Sequence, residues 1–201
     1  MKAAEDKRTL IVDAAVRRFG HFGVGKTTMN DIARDVSMSK ASLYYYFPDK
    51  NALLAASLER VIGQSFDRVS DRMSKMNQSL ATMEYLLESR MEFITRHYKL
   101  FEYFFGSGPN PPRKLTALVT EARDSQIQLI LRALQSGVDR GELKTMDTDE
   151  MAQVILFAIE GMRVSFLKDA DGILFPGSEE FDAILSLQKK LIQVLIAGLS
   201  R

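Results

Sequence analysis

Apolar residues recur at three- and four-residue spacing along almost the whole chain. Ile11, Ala15, Phe19 and Phe22 fall on one such face, and Leu54, Leu58, Val61, Phe66 and Val69 on a later one. Leu80, Met83, Leu87, Ile94 and Phe101 continue the period, followed by Ile127, Ile130, Leu134 and Val138. Met151, Ile155, Ala158, Met162 and Phe166 make another stripe, and Ile184, Leu187, Leu191, Val194 and Gly198 the last. No alternating pattern of strand period competes with these. Breaks fall at FGVG, VSMS, FPDK, GSGPNPP, GELKTMDTD and DGILFPGS, where Gly, Pro, Ser and Asp gather. The spacing predicts an all-α chain of about nine helices, short near the start and longer after Asp49.

One stretch resists that simple picture. From Gly20 to Thr27 the chain reads GHFGVGKT, the spelling of a phosphate-binding loop. Such a loop must leave a buried strand and open a helix, so that backbone N–H groups converge on phosphate oxygens. The residues before it, IVDAAVRRF, carry Asp13, Arg17 and Arg18 at helical period and cannot form a buried strand. No parallel sheet follows to supply a magnesium-holding acid. The stretch is better explained as the end of one helix and the start of another.

Thr28 with Asp31 three residues later is a capping box with Asp in place of the usual Glu. It starts a short helix that buries Ile32, Ala33 and Val36. Ser39 can cap a second short helix, KASLYYYF, after a tight turn, and two such helices make a helix-turn-helix. In that motif the second helix lies in the major groove of DNA. Leu43 and Phe47, four apart, face inward, which leaves Lys40, Ala41, Tyr44 and Tyr45 outward. The hydroxyls of Ser39 and Ser42 and the phenols suit phosphate oxygens, while Lys40 can reach a guanine edge.

Charge supports this reading modestly. The chain of 201 residues has a formal net charge of +1. Within residues 1–50, nine Lys or Arg stand against six acids, leaving eighteen bases against twenty acids beyond. A basic head on a slightly acidic body suits an anionic partner. There is no cysteine, hence no disulfide framework and no thiolate metal site. The start has no apolar leader and no run is long enough to span a membrane, so the expected compartment is the cytoplasm.

The run F..FGVGKTTMNDIARDVSMSKASLYYYFPDKNALL resembles the N-terminal signature of the tetracycline-repressor (TetR) family of bacterial transcription regulators. Phe19 and its glycine turn, Thr27-Thr28, Ile32-Ala33, Leu43 to Phe47, Lys50 and Leu53 carry the resemblance, over roughly positions 8 to 60. Two residues depart from the pattern. Ser37 stands where the family usually has glycine, and Tyr46 where histidine is frequent. The resemblance implies a homodimer on a near-palindromic operator, with a small molecule in the C-terminal domain releasing the DNA. It places Thr28, Tyr44 and Lys50 at phosphates and Lys40, Ala41 and Tyr45 near bases; Thr27, Ser39 and Ser42 complete the expected DNA-facing set.

The expected domains are 5–65, a helix-turn-helix domain with the start of a linker helix, and 66–201, for effector binding and dimerisation. In the last helices a second apolar stripe suggests a face kept for a symmetry mate. Ile155, Ile184, Leu187, Leu191 and Val194 are the expected interface residues. The aromatic-rich segment 80–105 suggests a hydrophobic effector cavity lined by Phe66, Phe93, His97, Phe104, Gln126, Ile130, Met162 and Phe166. His97 could equally be a satisfied core residue. No cofactor, no metal and no catalytic set is expected. The reading is a sequence-specific DNA-binding regulator, a repressor released by a small hydrophobic effector. The alternatives are a helical adaptor whose helix-turn-helix binds protein, or a nucleotidase.

Overall fold

A computed structural model describes residues 2–105, 113–169 and 178–201. Among them are eight helices: α1 (Lys2–Phe22), α2 (Met29–Asp35), α3 (Lys40–Tyr46), α4 (Lys50–Met73), α5 (Ser79–Phe105), α6 (Arg113–Asp139), α7 (Thr148–Asp169) and α8 (Ser178–Leu199). The fold is all-α, with one helix fewer than the periodicity predicted. The expected breaks at 106–112 and 171–177 lie outside the described residues.

The chain divides into two compact units, one of Met1–Ser65 with Arg96–Thr120, the other of Phe66–Thr95 with Glu121–Arg201. Residues 96–120, which the sequence pattern put with 66–201, group here with the head.

In the first unit, Ile11, Ala15 and Phe19 of α1 pack with Ile32 and Ala33 of α2, Leu43 of α3 and Leu53, Leu54 and Leu58 of α4. Most of these side chains are fully out of water, and each Ile, Leu or Phe among them contributes about 1.5–3 kcal/mol of burial. Phe22 departs from the predicted stripe. It is 51% exposed, with the Arg18 guanidinium 5.2 Å from its ring centroid.

In the second unit, Met83 and Leu87 of α5, Ile130 and Leu134 of α6, Ile155, Leu156 and Ile159 of α7, and Ile192 and Ile196 of α8 form the core. The one fully buried amide there, Gln188, donates from Nε2 to the Ile159 carbonyl at 3.0 Å, so its burial costs little. Gly137 sits where α6 meets the start of α5, because a Cβ there would lie 2.3 Å from Ser79 Oγ and 2.7 Å from Leu143 Cδ1. The chain end is tied down as well: the Lys144 N–H donates to the Leu199 carbonyl at 2.8 Å.

Candidate nucleic-acid interface

The interface is built on α2, the turn after it and α3. Thr28 is extended (φ −106°, ψ 157°) and caps α2. Its hydroxyl accepts from the Asp31 N–H at 3.2 Å and donates to Asp31 Oδ2 at 2.7 Å, while its own N–H donates to the same carboxylate at 3.0 Å. The capping box is therefore complete with Asp, and the Thr28 hydroxyl and N–H hold the Asp31 carboxyl below the usual range. At the other end of α2, Arg18 of α1 grips Asp35 with two parallel bonds of 2.6 and 2.8 Å. The helix is pinned at both ends, although it is only 7 residues long.

The turn closes with the Met38 N–H on the Ala33 carbonyl at 2.9 Å, and Ser37 takes φ +53° to allow it. This is the position where the sequence lacks the customary glycine. A side chain there sits in the left-handed region that L residues other than Asn and Asp seldom enter.

Ser39 caps α3, accepting the Ser42 N–H at 3.1 Å, and the two hydroxyls are 2.8 Å apart. Leu43 and Phe47 are 0% and 2% exposed. Tyr46 is half-buried against the same core, so it stands among the packing residues rather than in the outward row. Ser39, Lys40, Ala41, Ser42, Tyr44 and Tyr45 are all exposed, Tyr45 at 85%. The Lys40 ammonium lies 5.8 Å from the Tyr44 ring centroid, which keeps a long cation over an aromatic face instead of free in water.

Two residues of the expected DNA-facing set have other employment. Thr27 is 1% exposed, and its hydroxyl donates to the Gly23 carbonyl at 2.8 Å; it closes the loop and presents no donor outward. Lys50 reaches back from the start of α4, its Nζ donating to the carbonyls of Val24 and Thr27 at 3.0 and 3.3 Å. It straps the loop that carries Thr28. Both corrections have one cause: the carbonyls of the 23–27 turn have no helical partners and recruit the nearest donors.

Residues 11–57 match the family of bacterial regulatory proteins, tetR family. Residues 11–57 are therefore a TetR-family DNA-binding domain. The chain is similar to the IcaR negative transcriptional regulator of the Staphylococcus aureus biofilm operon, 23% identical over 180 residues that cover 88% of this chain and 94% of that one. Among solved structures, a transcriptional regulator from Cytophaga hutchinsonii superposes with a TM-score of 0.85, at 27% identity, covering 97% of this chain and 99% of that one. A regulator from Saccharomonospora viridis in complex with choline has the same fold, with a TM-score of 0.71, 21% identity and coverage of 94% and 96%. A chain that carries this domain is a DNA-binding transcription regulator and not an enzyme. No helix among the described residues is long and apolar enough to cross a membrane.

The rest of the chain places the other expected residues as follows. Ile155 and Ile184 are 0% and 1% exposed inside the second unit, so they are core residues and not part of a partner face. The side chains left outward on α7 and α8 include Val154, Phe157, Leu187 and Val194, while Leu191 is half-buried. Ile130, expected at a cavity, is packed into the core. Phe93, His97 and Met162 are half-buried, and Phe66 has the Arg132 guanidinium 6.0 Å from its ring centroid. The side chains of Phe104 and Phe166 lie outside the described residues. A pocket of about 230 Å³ in the second unit is lined instead by Ser70, Met73, Thr82, Leu129, Arg132 and Arg140 among others, none of them expected.

Gln126, also expected at the cavity, has a defined polar partner. Its Oε1 accepts from Arg90 Nε at 2.9 Å. Arg90 and the nearby Arg163 were invisible to the periodicity argument, since a charged residue among apolar ones reads as surface until the fold buries it.

Proposed function

We propose that the chain is a homodimeric repressor that binds a near-palindromic operator through α3 and releases it when a small molecule occupies the second unit. The observation that carries this reading is the sidedness of α3: Leu43 and Phe47 are buried, while Ser39, Lys40, Ala41, Ser42, Tyr44 and Tyr45 face water in a row. A cation, short hydroxyls and phenols on one exposed face match a groove walled by phosphates. Thr28 and the N-terminal end of α2 supply a further phosphate contact, and Lys50 and Thr27 act indirectly by fixing the loop before them.

Repression is supported by the similarity to a negative regulator, and a small-molecule trigger by the choline complex of the Saccharomonospora protein. Dimerisation is proposed through the outward apolar residues Val154, Phe157, Leu187 and Val194, with Leu191 beside them. Two copies of α3 would then lie about 34–36 Å apart, one turn of DNA. The site of action is the cytoplasm, with the DNA.

The test begins by selecting bound fragments from the source genome and measuring affinity for the recovered operator by fluorescence anisotropy. Lys40→Ala and Tyr44→Ala each weaken binding by about 1–3 kcal/mol without loss of helicity. Lys40→Ala, at a base edge, also relaxes discrimination at the base pair it reads, whereas Tyr44→Ala, at a phosphate, weakens binding evenly across sequences. A double variant with wild-type affinity and discrimination would refute the assignment of α3.

A further inference from the structure

The second unit buries more positive charge than it neutralises. Arg90 on α5 is half-buried as a residue, yet its Nη1 is sealed from water and has no hydrogen-bond partner. Nε of Arg163 on α7 is in the same condition. Among the described residues, Arg90 donates from Nε to Gln126 Oε1 at 2.9 Å. The acid that faces it, Glu160, is already engaged by Arg123, whose Nε donates to it at 3.3 Å. Burial, and then the neighbouring Arg163 charge, push Arg90 down to about 10, with Glu160 offsetting part of the fall. An arginine at that value is still protonated at neutral pH, so the Arg90 guanidinium stays charged beside Arg163.

Folding does not ordinarily leave such groups unpaired. A buried guanidinium without a partner loses its hydration and receives nothing in return, and nearly all buried polar groups in folded proteins are satisfied. Two orphaned donors in one unit, on arginines near enough for Arg163 to act on Arg90, make a fork suited to an anion. Two donors match the two oxygens of a carboxylate, the ion that arginine binds with the best geometry. Around the fork the chain is apolar: Ile159 lies one turn before Arg163 on α7, and Phe93 and Ile94 lie one turn beyond Arg90 on α5.

We infer that Arg90 and Arg163 form the anchor for a small organic monocarboxylate with an apolar body, and that this acid is the molecule that switches the protein. The second half of this statement rests on the proposed function; the first half does not. The sequence-based expectation of a hydrophobic effector is thereby sharpened to an amphipathic acid, with Gln126 orienting the Arg90 guanidinium and Arg123 keeping Glu160 from competing for it.

The experiment uses the full chain with matched pairs of probes: octanoate against octanol, decanoate against decanol, and phenylacetate against 2-phenylethanol, all below micelle-forming concentrations. Calorimetry and thermal shift report binding, and operator anisotropy reports release. The acids bind at least tenfold more tightly than their alcohols. Arg90→Met and Arg163→Met each lose at least tenfold in acid affinity, while alcohol binding and ligand-free operator affinity stay at wild-type levels. Should Arg90→Met fail to fold, Arg163→Met carries the same comparison. Equal binding of acids and alcohols, no binding by any acid, or acid binding untouched by Arg163→Met overturns the carboxylate site. Tight acid binding that leaves the operator occupied keeps the site and removes the release step from the proposed function.

Discussion

Glu142 offers a sharp test of how the second unit is held together. It follows the end of α6, yet its carboxylate caps α5 from 63 residues away. Oε2 accepts the Ser79 N–H at 2.8 Å and the Ser79 hydroxyl at 2.7 Å, and Oε1 accepts from Arg140 Nε at 2.9 Å. The Arg140 bond first, then the Ser79 hydroxyl and N–H, pull Glu142 down from 4.5 to about 2. At about 1.4 kcal/mol per pKa unit the whole shift would correspond to roughly 3.4 kcal/mol. The side chain is 35% exposed, so solvent screening reduces this to about 1–2 kcal/mol. Because the folded value lies below the unfolded one, the stabilisation is fully present above pH 4.5 and is lost as pH falls toward 2. Glu142→Ala is therefore expected to lower the urea unfolding free energy by about 1–2 kcal/mol at pH 7. The difference from wild type should shrink by at least half at pH 2.5, since other carboxylates titrate alike in both proteins and cancel. Glu142→Gln keeps the acceptor and loses the charge, and its deficit should be smaller and flat with pH. If Glu142→Ala costs as much at pH 2.5 as at pH 7, the carboxylate is not what stabilises the start of α5.

Two further outcomes follow from exposed and strained positions. Ser37→Gly relieves about 1 kcal/mol of left-handed strain and gives back about 0.5–1 kcal/mol in unfolded-chain entropy, so it leaves stability within about 0.5 kcal/mol of wild type. Ser37→Val, with a branched Cβ at φ +53°, should instead lower the thermal midpoint measurably. Leu187→Glu and Val194→Glu replace side chains that are 44% and 71% exposed in the single chain, so each should leave helicity intact by circular dichroism and yield monomers by sedimentation. A folded wild-type monomer at micromolar concentration would contradict the dimer.

What could be read from the chain was what local chemistry determines. Thr28 with Asp31, and Ser39 with Ser42, are contacts three residues apart, so the capping residues of α2 and α3 are written in adjacent letters and the structure closes them as expected. The inward pair Leu43 and Phe47 follows from helical period alone. Ile155 and Ile184 show where that reasoning stops. A helix with two apolar stripes must turn one of them to its own core and one outward, and the period is the same for both. The choice is made by the packing of α7 on α8, and it sends Ile155 and Ile184 inward and Val154, Phe157, Leu187 and Val194 outward. Arg90 and Arg163 mark a second limit, since charged letters within helical runs look like surface until three helices close over them. Lys50 is a third: its donors meet carbonyls 26 and 23 residues back, a distance at which no spacing rule operates.

The phosphate-loop spelling at Gly20 to Thr27 shows why identical letters can serve opposite ends. A phosphate cradle needs a run of backbone N–H groups with nothing to bind, pointing into one hollow. Here two of them turn back onto the chain: the Gly23 N–H donates to the Phe19 carbonyl at 2.9 Å and the Thr27 N–H to the Val24 carbonyl at 3.3 Å. The threonine hydroxyl that would meet magnesium is turned back onto Gly23, and the segment before the loop is helix, which cannot deliver it to the end of a strand. Gly23 is used for φ +82°, the reversal that lets α1 stop and the chain return toward α2. What the loop leaves unsatisfied is a set of carbonyls, and carbonyls attract a cation. Lys50 supplies it from within the chain. A loop that has collected a lysine on its carbonyls is built to hold α2 in place for DNA, not to close around a phosphate.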